Sequence, residues 1–516
     1  MSTAPSLSDP YAWIERAAAV RGRAPFLATP RGETLDYARL HTASSGVAAA
    51  LAARGVATGD RVLLQIDKSV GAVLLYTGCL QLGAIVVPLN TAYTIAELDH
   101  FFRDAEPQLA IVRPQDRELL APLAAAAGCA HLETLGSDGR GSWPELLAAT
   151  AGASVVESAR SRPALSKDQL AALIYTSGTT GRSKGAMLTR GNLASNAAAL
   201  ADIWRFGPDD VLLHTLPLFH VHGLFAALNT VLAAGASIHL LPKFEASEVI
   251  RRLPAATVYM GVPTHYTRLL QEAGLSRAAT AHMRLFVSGS APLLAETHRE
   301  FAERTGQVIL ERYGMTETLM NTSNPYEGRR LPGSVGLPLP GVDVRVANPD
   351  DDGAGNAVGM LEVRGPNVCA GYWRDPAKSA EAFTGDGFFI TGDLGRIDAD
   401  GYVHIVGRAK DLVISGGYNV YPKEVEAELD ALRGVLESAV IGVPHPDLGE
   451  GVTAIVVAAA GADLDEGELV AALRARLARY KVPRRILFAA ELPRNTMGKV
   501  QKAELRRTHR ELYARS

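Results

Sequence analysis

LAALIYTSGTTGRSKG, residues 170–185, changes character after its sixth residue. Leu170 to Tyr175 is an unbroken apolar run, the pattern of a strand buried on both faces. The eleven residues from Tyr175 to Gly185 then hold three glycines, five serines and threonines, and two cations. Gly178, Gly181 and Gly185 let backbone N–H groups approach an anion, and Lys184 can meet its charge. Thr176, Ser177, Thr179, Thr180 and Ser183 add donors for phosphate oxygens. The loop is not a Walker A sequence, because the fifth position after Gly178 is Ser183 rather than glycine. The same composition also occurs in ordinary polar loops. If the stretch binds phosphate, it does so at the carboxyl end of a buried strand, where ligands sit in parallel α/β folds.

The chain on both sides has the rhythm of such a fold. DRVLLQI, the helical run 70–82, AIVVPL, the amphipathic TIAELDHFFRDA and LAIV precede the loop. After it come LTRGNLASNAAALAD, DVLLHTLPL, ASIHLL, ATVYMGVP, RLFVSGSAPL and LAETHREFAERTG. Alternating apolar strands and helices predict parallel sheets covered on both faces. From about residue 333 the texture shifts to short strands and turns, a small β-rich subdomain. After GRAKD (407–411 contains this turn) a compact module of α+β character follows. The predicted architecture is therefore α/β: a large N-terminal domain, 1–409, with parallel sheets and a β-rich subdomain, then a small C-terminal domain, 410–516.

The chain has 516 residues, 47% of them hydrophobic, and a net charge of −3. That length predicts two or more domains. The absence of a basic block argues against nucleic acid, whose binding needs clustered Lys and Arg. Cys79, Cys129 and Cys369 lie far apart with no CxxC pair, which fits a reducing compartment. The N-terminal twenty residues lack a signal-peptide core. Residues 71–89 are nearly long enough to span a bilayer. Gln81 and the LGA break make a buried helix followed by a buried strand the better reading. A soluble, cytoplasmic protein without membrane partners is expected, its oligomeric state open.

YTSGTTGRSKGAMLT resembles the signature of the adenylate-forming superfamily, which includes acyl-CoA synthetases. Further blocks match in the family's order: SGSAPL (288–293), ERYGMTET (311–318), GFFITGDLG (387–395), GYVHIVGRAKDLVISGGYNVYP (401–422) and PRNTMGKVQK (493–502). The resemblance implies ATP, a magnesium ion (Mg2+) and coenzyme A as reactants and cofactor. A carboxylate would attack the α-phosphate of ATP, and a thiol would then displace AMP. By the same resemblance Glu317 is the magnesium ligand and Thr316 an α-phosphate contact. Tyr313 and Gly314, with Ser290, Ala291 and Pro292, form the adenine wall. Asp393 would hold the ribose hydroxyls with help from Arg408, although GDLG is also good turn chemistry. Lys499 would be the catalytic lysine, bridging carboxylate and α-phosphate; outside this motif it would be an ordinary solvated lysine. The family's C-terminal domain is mobile, with Lys410 at the hinge position. Ser415, Gly416 and Gly417 resemble the loop of the thiol channel, where glycines admit a pantetheine arm; otherwise they form a tight turn.

The chain ends soon after the lysine motif, so free coenzyme A is the expected acceptor. PLNTAYT (88–94), MGVPTHYTRLL (260–270) and NTSNPY (321–326) strengthen the likeness to family members that activate malonate. Arg284, four residues before SGSAPL, is the expected partner of a second substrate carboxylate; the alternative is an ion pair at a strand end. His220 and His222, read on one face of an extended segment, are expected helpers, or else core or gating residues. Met315 would line the same pocket and limit branching, leaving methylmalonate a weaker substrate. The expected reaction is ATP-dependent ligation of malonate to coenzyme A; the runner-up is another short or medium-chain acid.

Overall fold

The run Leu170–Thr176 is a strand, and it sits where a parallel sheet turns antiparallel. The computed structural model describes residues 9–150, 164–176, 183–350, 357–495 and 498–514. Its six-stranded sheet runs His131–Thr134, Leu109–Val112, Arg61–Gln65, Ile85–Pro88, Leu170–Thr176, Lys184–Thr189. The first five are parallel, and Lys184–Thr189 returns antiparallel beside Leu170–Thr176. The two strands that flank residues 177–182 therefore pair as neighbours in one sheet. A Walker-type loop would instead lead from a strand into a helix.

A second, nine-stranded sheet has a parallel centre: Leu310–Met315, Leu285–Ser288, Val258–Gly261, Val211–His214, Ser237–Leu240 and Pro25–Ala28. Its register aligns Met260 with His214 and Gly261 with Ser288. The carboxyl ends of these strands thus make one ledge. That ledge carries the SGSAPL and YGMTE segments.

The suspected membrane stretch resolves as helix Val70–Leu82 and strand Ile85–Pro88. Ser69 caps the helix start and Gly83, at φ 81°, ends it. No helix among the described residues is long and apolar enough to cross a membrane.

Four antiparallel strands, Asp343–Asp350, Val358–Arg364, Phe389–Ile397 and Val403–Arg408, form the β-rich subdomain. A single 3-10 turn, Ala409–Asp411, leads to the last sheet, built from Val413–Ser415, Tyr418–Val420, Val435–His445, Gly449–Ala458 and Arg485–Ala489. This sheet is buried on both faces, by Val413, Val425 and Leu469 on one side and Ile441, Ile455 and Leu505 on the other. It has its own core, as an independently moving unit requires.

Candidate active site

Asp393 and Arg408 face each other across neighbouring strands, which puts carboxylate and guanidinium side by side. Arg408 Nε lies 2.7 Å from Asp393 Oδ1, and the Tyr313 hydroxyl donates to Oδ2 at 2.5 Å. Burial pushes the Asp393 carboxyl up, against the pull of Arg408 and the Tyr313 hydrogen bond. Burial and the Asp393 charge hold the Tyr313 phenol protonated. Gly314 is required where it stands: a Cβ there would lie 1.9 Å from the Leu319 carbonyl oxygen. Ser290 has φ 73°, a left-handed backbone unusual outside glycine, at the turn leaving Leu285–Ser288. Ala291 and Pro292 continue that turn. Of the expected adenine-wall residues, Tyr313 therefore meets the expected ribose carboxylate directly.

Ser177, Gly178, Thr179, Thr180 and Gly181 lie outside the described residues. The two flanks of their loop converge on Glu317. Thr176 Oγ1 donates to Glu317 Oε1 at 3.3 Å, and the Tyr372 hydroxyl donates to the same oxygen at 3.1 Å. Lys184 Nζ sits 5.3 Å from the centroid of the Tyr372 ring. Thr316 occupies the turn just before Glu317. Sequence reasoning passed over Tyr372, because GYW has no motif chemistry of its own. It nonetheless links the loop lysine to the carboxylate.

Lys499 enters this cleft from the C-terminal module. Gly498, at φ 74°, comes so close to the helix Pro263–Leu270 that a Cβ would meet Thr264 Oγ1 at 3.0 Å. The lysine remains open to solvent, yet its pKa lies below the ordinary value. Enclosure in the cleft is the main cause, followed by Arg408 and Arg312; Asp393 and Glu317 act in the opposite sense. Lys410 lies in the turn joining the last two sheets. Gly416 and Gly417, at φ 59° and 82°, form the two-residue tip of the hairpin that pairs Ser415 with Tyr418.

Arg284 is not in the cleft, which corrects the expectation of a substrate role. It precedes Leu285–Ser288, at the amino end of the strand, whereas the site lies beyond the carboxyl end. Its Nε and Nη2 donate to Asp210 at 2.7 and 2.6 Å, and Nη1 donates to the Trp204 carbonyl at 2.9 Å. Phe206 and Tyr326 flank the guanidinium. This is the strand-end ion pair. Arg284→Ala lowers the unfolding free energy by about 1–3 kcal/mol in denaturant titration, less than a fully buried pair would cost. It leaves the Michaelis constant for the acid substrate unchanged.

A second arginine, Arg312, lies in the ERYGMTET block. It is 3% exposed, and its Nε and Nη2 have no protein partner among the described residues. A Cβ on Gly289 would lie 2.5 Å from its Cζ, so glycine makes room for the guanidinium. Burial pulls its pKa down to about 9. After burial, the Arg312 charge is one of the causes that lower the pKa values of His220, His222 and Lys499. His222 Nδ1 is 3.2 Å from Ser290 Oγ, while its Nε2 is unpartnered among the described residues. Both imidazoles are held neutral by burial, His220 at about 3 and His222 well below its usual value. They do not lie on an extended segment: His222–Asn229 is a π-helix and His220 sits in the bend before it. Met315 ends the strand that carries Arg312.

Glu311, the neighbour of Arg312 in this strand, is buried and accepts from the Gly333 N–H at 3.3 Å. Burial lifts its carboxyl from 4.5 to about 8, with Lys423 pulling the other way. A raised carboxyl binds its proton more tightly when folded. Its contribution is thus complete below about pH 4.5 and is lost as pH rises through about 8. Glu311→Gln flattens this slope in melting experiments and stabilises the protein at pH 8–9 by on the order of 1 kcal/mol or more.

The model of the AMP-binding enzyme family matches residues 14–373, and that of the AMP-binding enzyme C-terminal domain matches 424–499. The chain belongs to the AMP-binding enzyme family. A malonate–CoA ligase of Arabidopsis thaliana is 38% identical over 462 residues, covering 83% of this chain and 74% of that protein. A feruloyl-CoA synthase of an Amycolatopsis species is 36% identical, covering 92% of this chain and 94% of that protein. The crystal structure of ATP-bound MatB from Rhodopseudomonas palustris superposes with a TM-score of 0.93 at 52% identity, covering 98% of this chain and 99% of that one. AMP-binding CoA ligases use ATP and coenzyme A as substrates. The α/β architecture with a separate C-terminal unit is that family's fold.

Proposed function

We propose that the protein ligates malonate to coenzyme A through malonyl-AMP, giving malonyl-CoA, AMP and pyrophosphate. The observation that carries the acid's identity is Arg312. A buried guanidinium with two unpartnered nitrogens costs about 1–3 kcal/mol or more unless a ligand satisfies it. A second carboxylate, accepted bidentately, does so. His220, His222 and Ser290 line the same end, and Met315 closes it. Methylmalonate is the second substrate on this reading, weaker because of Met315.

One malonate carboxylate lies against Arg312 while the other attacks the α-phosphate. Lys499 Nζ holds these two negative groups together and stabilises the charge that builds between them. Asp393 and Arg408 fix the ribose, and Tyr313, Gly314 and Ser290–Pro292 confine the adenine. Thr176, Lys184 and Thr316 face the phosphates. Glu317, oriented by Thr176 and Tyr372, fits a magnesium ion, which takes one or two carboxylates plus phosphate oxygens. Bound there, the ion would neutralise charge on the phosphates. For the second half-reaction we propose that domain 410–516 turns about Lys410 against 1–409. The Ser415–Gly417 tip then replaces Lys499 beside the adenylate. The thiolate of coenzyme A attacks the acyl carbonyl, and AMP leaves with one oxygen from malonate. The free cysteines, two of them buried, support a reducing compartment such as the cytoplasm.

The relation to a feruloyl-CoA synthase supports a second reading, a ligase for a monocarboxylic acid. Such an acid leaves Arg312 uncompensated, which is why malonate is preferred. Incubation with ATP, Mg2+, coenzyme A and a panel of acids tests the choice. Malonyl-CoA and AMP should form fastest with malonate; a faster monocarboxylate would overturn it.

A further inference from the structure

Lys68 belongs to the six-stranded half of the large domain, between strand Arg61–Gln65 and helix Val70–Leu82, yet it serves the other half. Its Nζ lies 2.8 Å from His214 Nδ1 and donates to the His214 carbonyl at 2.9 Å. His214 ends a strand of the nine-stranded sheet and is 1% exposed. Its Nε2 lies 2.9 Å from the Gly223 carbonyl. A carbonyl only accepts, so Nε2 carries the hydrogen, Nδ1 is the acceptor, and Lys68 donates to it. Burial, reinforced by Lys68, keeps the imidazole neutral and able to make both bonds.

Gly223 is the second residue of the π-helix His222–Asn229. A Cβ on it would lie 2.1 Å from the Pro217 carbonyl oxygen, so this turn folds hard against the segment before it. A π-helix is rare, is frequently found at functional sites, and turns its side chains to different facings than an α-helix would. Here the re-aimed residue is His222, whose N–H donates to His220 Nδ1 at 3.2 Å and whose own Nδ1 meets Ser290 Oγ at the same distance. A continuous set of hydrogen bonds thus runs from Lys68 through His214 to the turn that aims both imidazoles.

We propose that Lys68 and His214 are positioning residues, holding the π-helical turn so that His220 and His222 meet the substrate's second carboxylate. The inference rests on the malonate reading. Lys68 touches no reactant; it acts on specificity through His214. Lys68 is one of the residues lining a cavity of about 160 Å³, with Leu64, Ile66, Leu89 and Leu218 as well as Asp67 and Thr91, so a methionine side chain has room there.

Steady-state kinetics on Lys68→Met test this. The Michaelis constant for malonate should rise about tenfold, with kcat within about threefold and the Michaelis constant for ATP unchanged. The melting midpoint should fall only by what one unpaired buried His214 nitrogen costs, which separates positioning from general support of the fold. His214→Gln keeps an amide N–H for the Gly223 carbonyl and should retain more malonate affinity than His214→Ala. If the unmodified enzyme makes malonyl-CoA and Lys68→Met keeps its malonate constant, the inference is wrong. Should Lys68→Met not fold, equal malonate constants for the two His214 variants overturn it instead. Absence of malonate-dependent AMP from the unmodified enzyme would instead sink the functional reading.

Discussion

Lys499→Ala slows malonate-dependent release of pyrophosphate by about 10²- to 10³-fold, the scale of removing one preorganised donor from a developing charge. The reason is geometric. Lys499 follows Gly498, which presses against Thr264 of the large domain, and its charge is felt by Asp393 and Glu317. Without it, two negative groups must meet with less compensation. The second half-reaction does not need this charge. Synthetic malonyl-AMP and coenzyme A should therefore give malonyl-CoA in the variant at nearly the unmodified rate. Equal slowing of both halves would show that Lys499 supports the domain rather than the adenylation chemistry. The lowered lysine pKa adds a signature: the charged form is lost at lower pH than for a free lysine. The adenylation rate should fall with rising pH before thioester formation does.

Arg312→Met has the second large effect. Truncating one partner of a buried, hydrogen-bonded charge pair costs about 2–5 kcal/mol, thirtyfold or more in kcat/KM. The loss should appear for malonate and not for acetate, because only malonate offers a second carboxylate. Methionine fills similar space without demanding a counter-ion, so the fold should tolerate it. Arg284→Ala is the control, since Arg284 is held by Asp210 and Trp204 outside the cleft. An unchanged malonate constant in Arg312→Met would remove the basis for a dicarboxylate.

The contrast between these arginines marks where the sequence stops being legible. Apolar period and breakers were enough to resolve residues 70–88 into a helix and a strand, because Gln81 and Gly83 interrupt the run locally. Ser290 and Gly314 came only from the likeness of their motifs; the left-handed backbone at Ser290 and the close approach at Gly314 are properties of the folded chain. Arg284 was misplaced because nearness in sequence to SGSAPL was read as nearness in space. The four-residue strand Leu285–Ser288 separates Arg284 from the turn at Ser290, six positions on and at most about 20 Å away at the usual rise. Strand polarity alone could have placed it at the wrong end. Arg312 lay inside a quoted motif, but its empty hydrogen-bonding positions are a property of packing that no spacing reveals. The π-helix at His222 was equally hidden, since its turn bonds to His214, and His214 to Lys68, from distant parts of the chain.

The central claim is that a malonate oxygen attacks the α-phosphate of ATP. Malonate labelled with 18O in its carboxylates, turned over with ATP, Mg2+ and coenzyme A, tests this by mass spectrometry of the nucleotide product. The account predicts AMP carrying one labelled oxygen for each malonyl-CoA formed. Unlabelled AMP, or ADP with labelled phosphate, would contradict it.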